Sequence, residues 1–136
     1  MKNKGSRTER ELLHMFFKEG WQPCRIAGSG SIPLPATDLI AGNGKRLLAI
    51  ECKSGKRNIR RYIKEKQIKE LKEFSKKLGA EPWVGMRFDN EEWFFLTLNK
   101  LVRSKGNNFV LDLNIVKKHG ITFNELIGKY KQKRLR

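Results

Sequence analysis

The sequence predicts a single domain of the α/β class, and three observations predict it. The chain has 136 residues, the size of one domain with one modest core. Two stretches, near 6–18 and 63–78, repeat apolar residues at helical spacing. Runs near 21–27, 38–53 and 82–96 are rich in β-branched, Leu and aromatic residues and are bounded by Gly, Pro, Asn or Asp, the pattern of strands. Hydrophobic residues make up 38%, with three Trp and eight Phe, so the chain can bury a core rather than stay disordered.

The charge balance bounds the partners. Thirty Lys plus Arg against fourteen Asp plus Glu give a formal charge of +16. A small domain this basic binds polyanions, with nucleic acid first and an anionic membrane surface second. No apolar run approaches the roughly 18–20 residues that cross a bilayer, and no signal peptide is visible. No helix pairs a basic face with an exposed apolar one, which argues against a membrane role. Cys24 and Cys52 form no CxxC and read as two ordinary buried thiols of a reduced, intracellular protein.

In chain order, Ser6-Arg7-Thr8-Glu9 opens a helix that runs to about Lys18 and is closed by Gly20. Its buried stripe is Leu12, Leu13, Phe16 and Phe17. Glu9 falls between Leu12 and Leu13 on the helical wheel, on the inward side. Two readings of it stand: the N3 acid of a Ser-x-x-Glu capping box, or an acid facing a functional pocket. Residues 21–27 (WQPCRIA) read as a first strand, with Pro23 marking an edge or a strand start. The loop 28–35 (GSGSIPLP) has glycines that admit a phosphate and two hydroxyls, Ser29 and Ser31, that can bind one; a plain connector is the alternative.

The stretch 37–53, TDLIAGNGKRLLAIECK, is the centre of the chain. It reads as a strand carrying Asp38, a turn at Gly42-Asn43-Gly44, and a second strand ending Glu51-Cys52-Lys53. Alternation places Glu51 and Lys53 on one face and Cys52 on the other. Two carboxylates from paired strands beside an ammonium suit a hard cation and a phosphate. The bland alternative is a surface Glu51–Lys53 pair worth under about 1 kcal/mol. Leu47 to Ile50 make the strand look buried, where an unpaired acid is costly, and this favours a site.

With Lys53 just before it, the next segment carries Lys56, Arg57, Arg60, Arg61, Lys64 and Lys66, a run placed to grip a nucleic-acid backbone, or else a solvated face. A helix is expected from about Ile63 to Leu78, ended by Gly79, with Ile68, Leu71, Phe74 and Leu78 inward. Gln67 shares that face, either reaching towards the site or satisfied by backbone. Residues 82–88 and 93–96 read as a hairpin around Asp89-Asn90, its aromatics core rather than base-stacking. Residues 109–113 read as a short strand and 121–127 as a short helix capped by Thr122. Residues 129–136 form a basic tail expected to be mobile.

With these residues in place, the chain resembles the archaeal Holliday-junction resolvases, a branch of the restriction-endonuclease-like nucleases. The likeness lies in Lys4-Gly5 with Glu9-Arg10-Glu11-Leu12, in Arg25 to Ser29, in Asp38 to Lys45, in Ile50-Glu51-Cys52-Lys53 and in the helix end Glu73 to Gly79. It covers roughly residues 4–100 and, more weakly, GITFNELIGK. A bare D…E-x-K is a weak pattern; with the leading Glu and the Gly-Ser loop it is far more specific. Thr37 stands before Asp38 where the superfamily has Pro, a departure that removes no ligand.

The resemblance implies a restriction-endonuclease-like mixed β-sheet flanked by helices, a two-fold homodimer, and Mg²⁺-dependent nicking of branched double-stranded DNA. It moves Glu9 towards function. Asp38 and Glu51, with Glu9 as a further candidate and the Cys52 backbone carbonyl, would hold one or two Mg²⁺, Mn²⁺ being a possible substitute. Lys53 would orient the attacking water or steady phosphate charge. Ser29 would hold a phosphate oxygen, Arg10 and Arg25 would neutralise neighbouring phosphates, and the products would carry 5′-phosphate and 3′-hydroxyl ends. No small-molecule cofactor and no membrane are implied, and the setting is cytoplasmic and nucleoid-associated. The alternatives are the same fold cutting flaps, nicks or damaged duplex, and a basic nucleic-acid-binding protein without chemistry.

Overall fold

A computed structural model of the chain describes residues 4–26 and 33–129. The framework is a six-stranded sheet. In chain order its strands are β1 (Gln22–Arg25), β2 (Leu39–Gly42), β3 (Leu47–Gly55), β5 (Glu81–Phe88), β6 (Trp93–Leu96) and β9 (Ile121–Thr122), and they lie side by side in that order. All neighbours are antiparallel except β3 and β5, which run parallel from Leu48 opposite Glu81 to Gly55 opposite Phe88. The sheet is therefore mixed. A parallel pair needs a long crossover, here β4 (Arg61–Lys64) and helix α2 (Glu65–Leu78). Strand β4 joins β7 (Val102–Arg103) and β8 (Asn108–Leu111) in a small second sheet, ordered β4-β8-β7.

Side-chain alternation divides the core in two. Leu48 and Ile50 of β3, with Trp93 and Phe95 of β6, pack under helix α1 (Lys4–Lys18) through Leu12 and Phe16, and under helix α4 (Phe123–Leu126). Ala49, Val84, Met86, Phe94 and Leu96 face the other way, against Ile68 and Leu71 of α2, Phe109 and Leu111 of the second sheet, and Val116 of helix α3 (Leu113–His119). Gly85 permits the tight layer between β3 and β6. A Cβ there would lie 3.0 Å from the Phe95 ring and 3.2 Å from Ile50.

The hairpin between β2 and β3 turns at residues 43–46, where Asn43 Oδ1 accepts the backbone N–H groups of Lys45 at 2.9 Å and Arg46 at 2.7 Å. Strand β2 begins only at Leu39, so β3 runs on past it, and residues 51–55 keep β5 on one side with β2 absent on the other.

Several expectations need correction. Helix α1 starts at Lys4, which puts Ser6 inside it, so the Ser6–Glu9 capping box does not form; Glu9 binds Arg25 instead. Phe17 is 67% and Leu78 44% exposed, at the margins of their stripes. Cys24 is exposed and Cys52 half-buried. Residues 61–64, expected in part as helix, form β4. Asp38 immediately precedes β2, and β3 continues to Gly55. Leu113 belongs to α3, whose N-cap Asp112 accepts the Ile115 N–H at 2.8 Å. Pro23 does lie on an edge strand, the aromatics of β6 are buried, and Thr122 caps α4 in a capping box with Glu125. Residues 130–136 of the basic tail lie outside the described residues, whereas Lys129 pairs with Glu19 at 3.3 Å.

Candidate active site

The projecting end of β3 builds the site. Leu39 lies opposite Ile50, so the antiparallel register carries Asp38 to the position opposite Glu51. The two carboxyl groups are in hydrogen-bond contact. Asp38 Oδ2 also accepts the Cys52 N–H at 2.8 Å, a donor that β2 is too short to reach. That bond fixes the Asp38 side chain against the strand. Opposed across an antiparallel pair, the two acids share one face of the sheet.

Glu51 is only 8% exposed. Burial, then the neighbouring Asp38 charge, pushes its carboxyl up to about 8, against a smaller downward pull from the Lys53 ammonium. Near neutral pH the Asp38–Glu51 pair therefore holds on to a proton. Lys53, two residues on and on the same face, donates to Gln67 Oε1 at 3.4 Å, so the helix residue singled out in the sequence does reach the site. Burial likewise pushes the Cys52 thiol well up, which keeps it a thiol rather than a nucleophile or a ligand.

Glu9 approaches from α1. Its Oε1 accepts from Arg25 Nε at 2.9 Å, and Arg25 reaches on to Ser6 Oγ at 3.2 Å. Burial and the Asp38 charge raise the Glu9 carboxyl, opposed by Arg25. Among the described residues no three His, Cys, Asp or Glu side chains gather closely enough to hold an ion by themselves. Glu9 stands beside the Asp38–Glu51 pair, close enough for the Asp38 charge to act on it and for its own charge to act on Glu51. Arg25, expected to meet phosphate, is engaged by Glu9. Neither that pair nor the register that creates it could be read locally, since 16 residues separate its members.

The basic run is less free than its sequence suggests. Arg57 pairs with Glu91 at 2.8 Å and Arg60 with Asp112 at 3.6 Å. Arg61 turns inward and donates to the Ser54 carbonyl, on the projecting part of β3. A cleft next to the acids is lined by Gly5, Lys53, Gly55, Lys56, Ile59 and Arg61, and Lys56 and Ile59 are exposed there. Arg10 is half-buried on α1 next to Glu9. Ser29 and Ser31 lie outside the described residues.

An acid pair, an ammonium and a basic cleft at the end of a central strand of this mixed sheet define the restriction-endonuclease-like class of protein. A family model described as archaeal Holliday junction resolvase (Hjc) matches residues 1–135. The crossover junction endodeoxyribonuclease Hjc of Archaeoglobus fulgidus is 37% identical over 134 residues, 98% of this chain and 96% of that protein. Its counterpart from Methanocaldococcus jannaschii is 37% identical over 129 residues, 95% of this chain and 90% of that one. The solved structure of Archaeoglobus fulgidus Hjc, a Holliday junction resolvase from an archaeal hyperthermophile, matches with a TM-score of 0.82 at 32% identity, covering 91% of this chain and 100% of that one. The chain belongs to the archaeal Holliday junction resolvase family.

Proposed function

We propose that this protein is a Mg²⁺-dependent endodeoxyribonuclease that resolves four-way DNA junctions by paired nicks, working as a homodimer in the cytoplasm. The observation that carries the chemistry is the contact between Asp38 and the buried Glu51, with Lys53 on the same face. Two such acids repel when ionised, and a cation relieves the repulsion. The donor set is oxygen alone, and Mg²⁺ takes one or two protein carboxylates while keeping waters and substrate phosphate oxygens. Asp38 and Glu51 would hold it, with the Cys52 carbonyl as a further donor. When bound, the ion supplies acidification of a water and neutralisation of phosphate charge. Mn²⁺ offers the same oxygen preference.

The chain's own groups do the rest. Lys53 presents an ammonium to the scissile phosphate and steadies charge on its oxygens as the bond breaks. Glu9 holds Arg25 at the mouth of the site, where its guanidinium can exchange the carboxylate for a phosphate of the backbone. Lys56 offers a second cation from the cleft. Phosphate contacts of this kind position the duplex arms and carry little base information, so selectivity rests on branch shape. No helix among the described residues is long and apolar enough to cross a membrane.

The test is incubation with a strand-labelled four-way junction, with Mg²⁺ and with chelator, resolved on a denaturing gel. Symmetric nicks that need the metal are expected, and Asp38→Asn or Glu51→Gln should abolish them while junction binding survives. Cleavage by either variant with Mg²⁺ would remove the assigned metal role. Preferential cutting of flaps or linear duplex would overturn the junction specificity.

A further inference from the structure

We infer that Gln67 is a positioning residue for the Lys53 ammonium, coupling the start of α2 to the reacting phosphate; this rests on the hydrolytic reading above. Gln67 sits at N3 of α2, and its Oε1 accepts the backbone N–H of the N-cap residue Lys64 at 3.3 Å. A cap needs no more than that. The same oxygen also meets Lys53 Nζ at 3.4 Å, across the gap between helix and sheet. One amide therefore holds a helix end and an ammonium at once.

The chemistry suits this task. A lysine head on a four-carbon stem has many rotamers, and each must be suppressed for the charge to sit where the phosphate arrives. Glu51 and Asp38 lie nearby and attract the ammonium towards themselves. A carboxylate at position 67 would compete with phosphate for the same charge. A neutral amide oxygen orients the ammonium without neutralising it. Gln67 touches neither metal ligands nor substrate, so it acts through Lys53.

Cap and positioning separate by a pair of variants measured in the full chain. Gln67→Met keeps length and apolar stem but loses the acceptor for both partners. Adding Lys64→Ser, measured beside Lys64→Ser alone to separate any loss of a backbone-gripping cation, gives α2 a new N-cap acceptor and leaves Lys53 unheld. For Gln67→Met, single-turnover cleavage at saturating four-way junction and Mg²⁺ is expected to fall about tenfold, with junction Kd changed less than about twofold. In the double variant Tm is expected to return while the slow rate persists. A wild-type rate for Gln67→Met, or recovery of rate together with Tm in the double variant, would overturn the assignment and leave Gln67 a cap. An inert wild-type protein would instead bring down the hydrolytic reading on which it rests.

Discussion

Two carboxyl groups in contact on a buried strand end cannot both ionise without a compensating charge, and in this protein the cost falls on Glu51. Its carboxyl is raised from the ordinary 4.5 to about 8. In the unfolded chain it ionises near its ordinary value, so between about pH 4.5 and 8 the folded protein binds the extra proton. Stability of the metal-free protein must then fall as pH rises through that window and level off above it. Glu9, raised for the same first reason, adds to the decline. The lowered carboxyls of Glu11 and Glu81 act in the opposite sense but at and below the ordinary carboxylate range. Thermal melts in chelator from pH 5 to 9 should show the decline, and Glu51→Gln should flatten most of it. On the proposed function Mg²⁺ would take the place of the proton, so its stabilising effect on the wild type should be larger at pH 8.5 than at pH 6 and small in Glu51→Gln. An equal Tm increase at both pH values would contradict this account. Asp38, Glu51 and Lys53 were legible in the sequence because strand alternation and one hairpin register suffice to bring them together. The engagement of Arg25 by Glu9 and of Arg61 by Ser54 was not, since each depends on how separate elements dock.

At the scale of elements, α1 must be held on the sheet for Glu9 to stand beside Asp38, and Glu11 is the clamp. Its Oε1 accepts from Trp93 Nε1 at 2.8 Å and from Arg87 Nε at 2.9 Å, and Oε2 accepts from Arg87 at 3.3 Å. Trp93 is 1% exposed, so losing the acceptor strands a buried indole N–H. Glu11→Ala should cost about 1–3 kcal/mol in urea unfolding, whereas Glu11→Gln, which keeps an acceptor oxygen, should cost less. A cost below about 0.5 kcal/mol for the alanine variant would show that the clamp contributes little. The elements themselves were read unevenly, for physical reasons. Helices α1 and α2 and strands β3, β5 and β6 carry long apolar periods and were legible to within a few residues. Strand β4 has four residues, RYIK, and abuts a true helix, so its Ile63 falls in with the helical period of Leu71, Phe74 and Leu78. Its strand identity comes from β8, some 50 residues away, and two-residue strands such as β7 and β9 hold no local pattern at all. Phe17 shows the matching limit for helices: a wheel gives the direction of an apolar stripe but not the width of the surface that meets it.

Across the whole molecule, a formal charge of +16 must show itself as salt-dependent binding. Much of the acidic complement is already spent on intramolecular pairs, among them Arg46 with Glu81 at 2.8 Å and Arg103 with Glu65 at 2.8 Å. Exposed cations such as Lys56 are the ones left to meet phosphate. Replacing Lys56 by Ala should weaken binding to junction and duplex alike and lower the slope of log K against log salt by about one. Arg61→Ala should instead appear as lost stability, because its guanidinium serves the Ser54 carbonyl. The proposed dimer makes a sharper demand. A four-way junction has approximate two-fold symmetry, and a two-fold pair of subunits places one Asp38–Glu51 centre on each of two strands of like polarity. Each subunit then cuts one strand, and resolution requires both to act before the complex dissociates. Mixing wild-type protein with excess Glu51→Gln protein, under conditions that exchange subunits, should convert a supercoiled cruciform plasmid to nicked circles rather than to the linear product of paired nicks. Continued linear product in proportion to the wild-type protein present would mean that one subunit makes both cuts, and the paired-subunit arrangement would have to be given up.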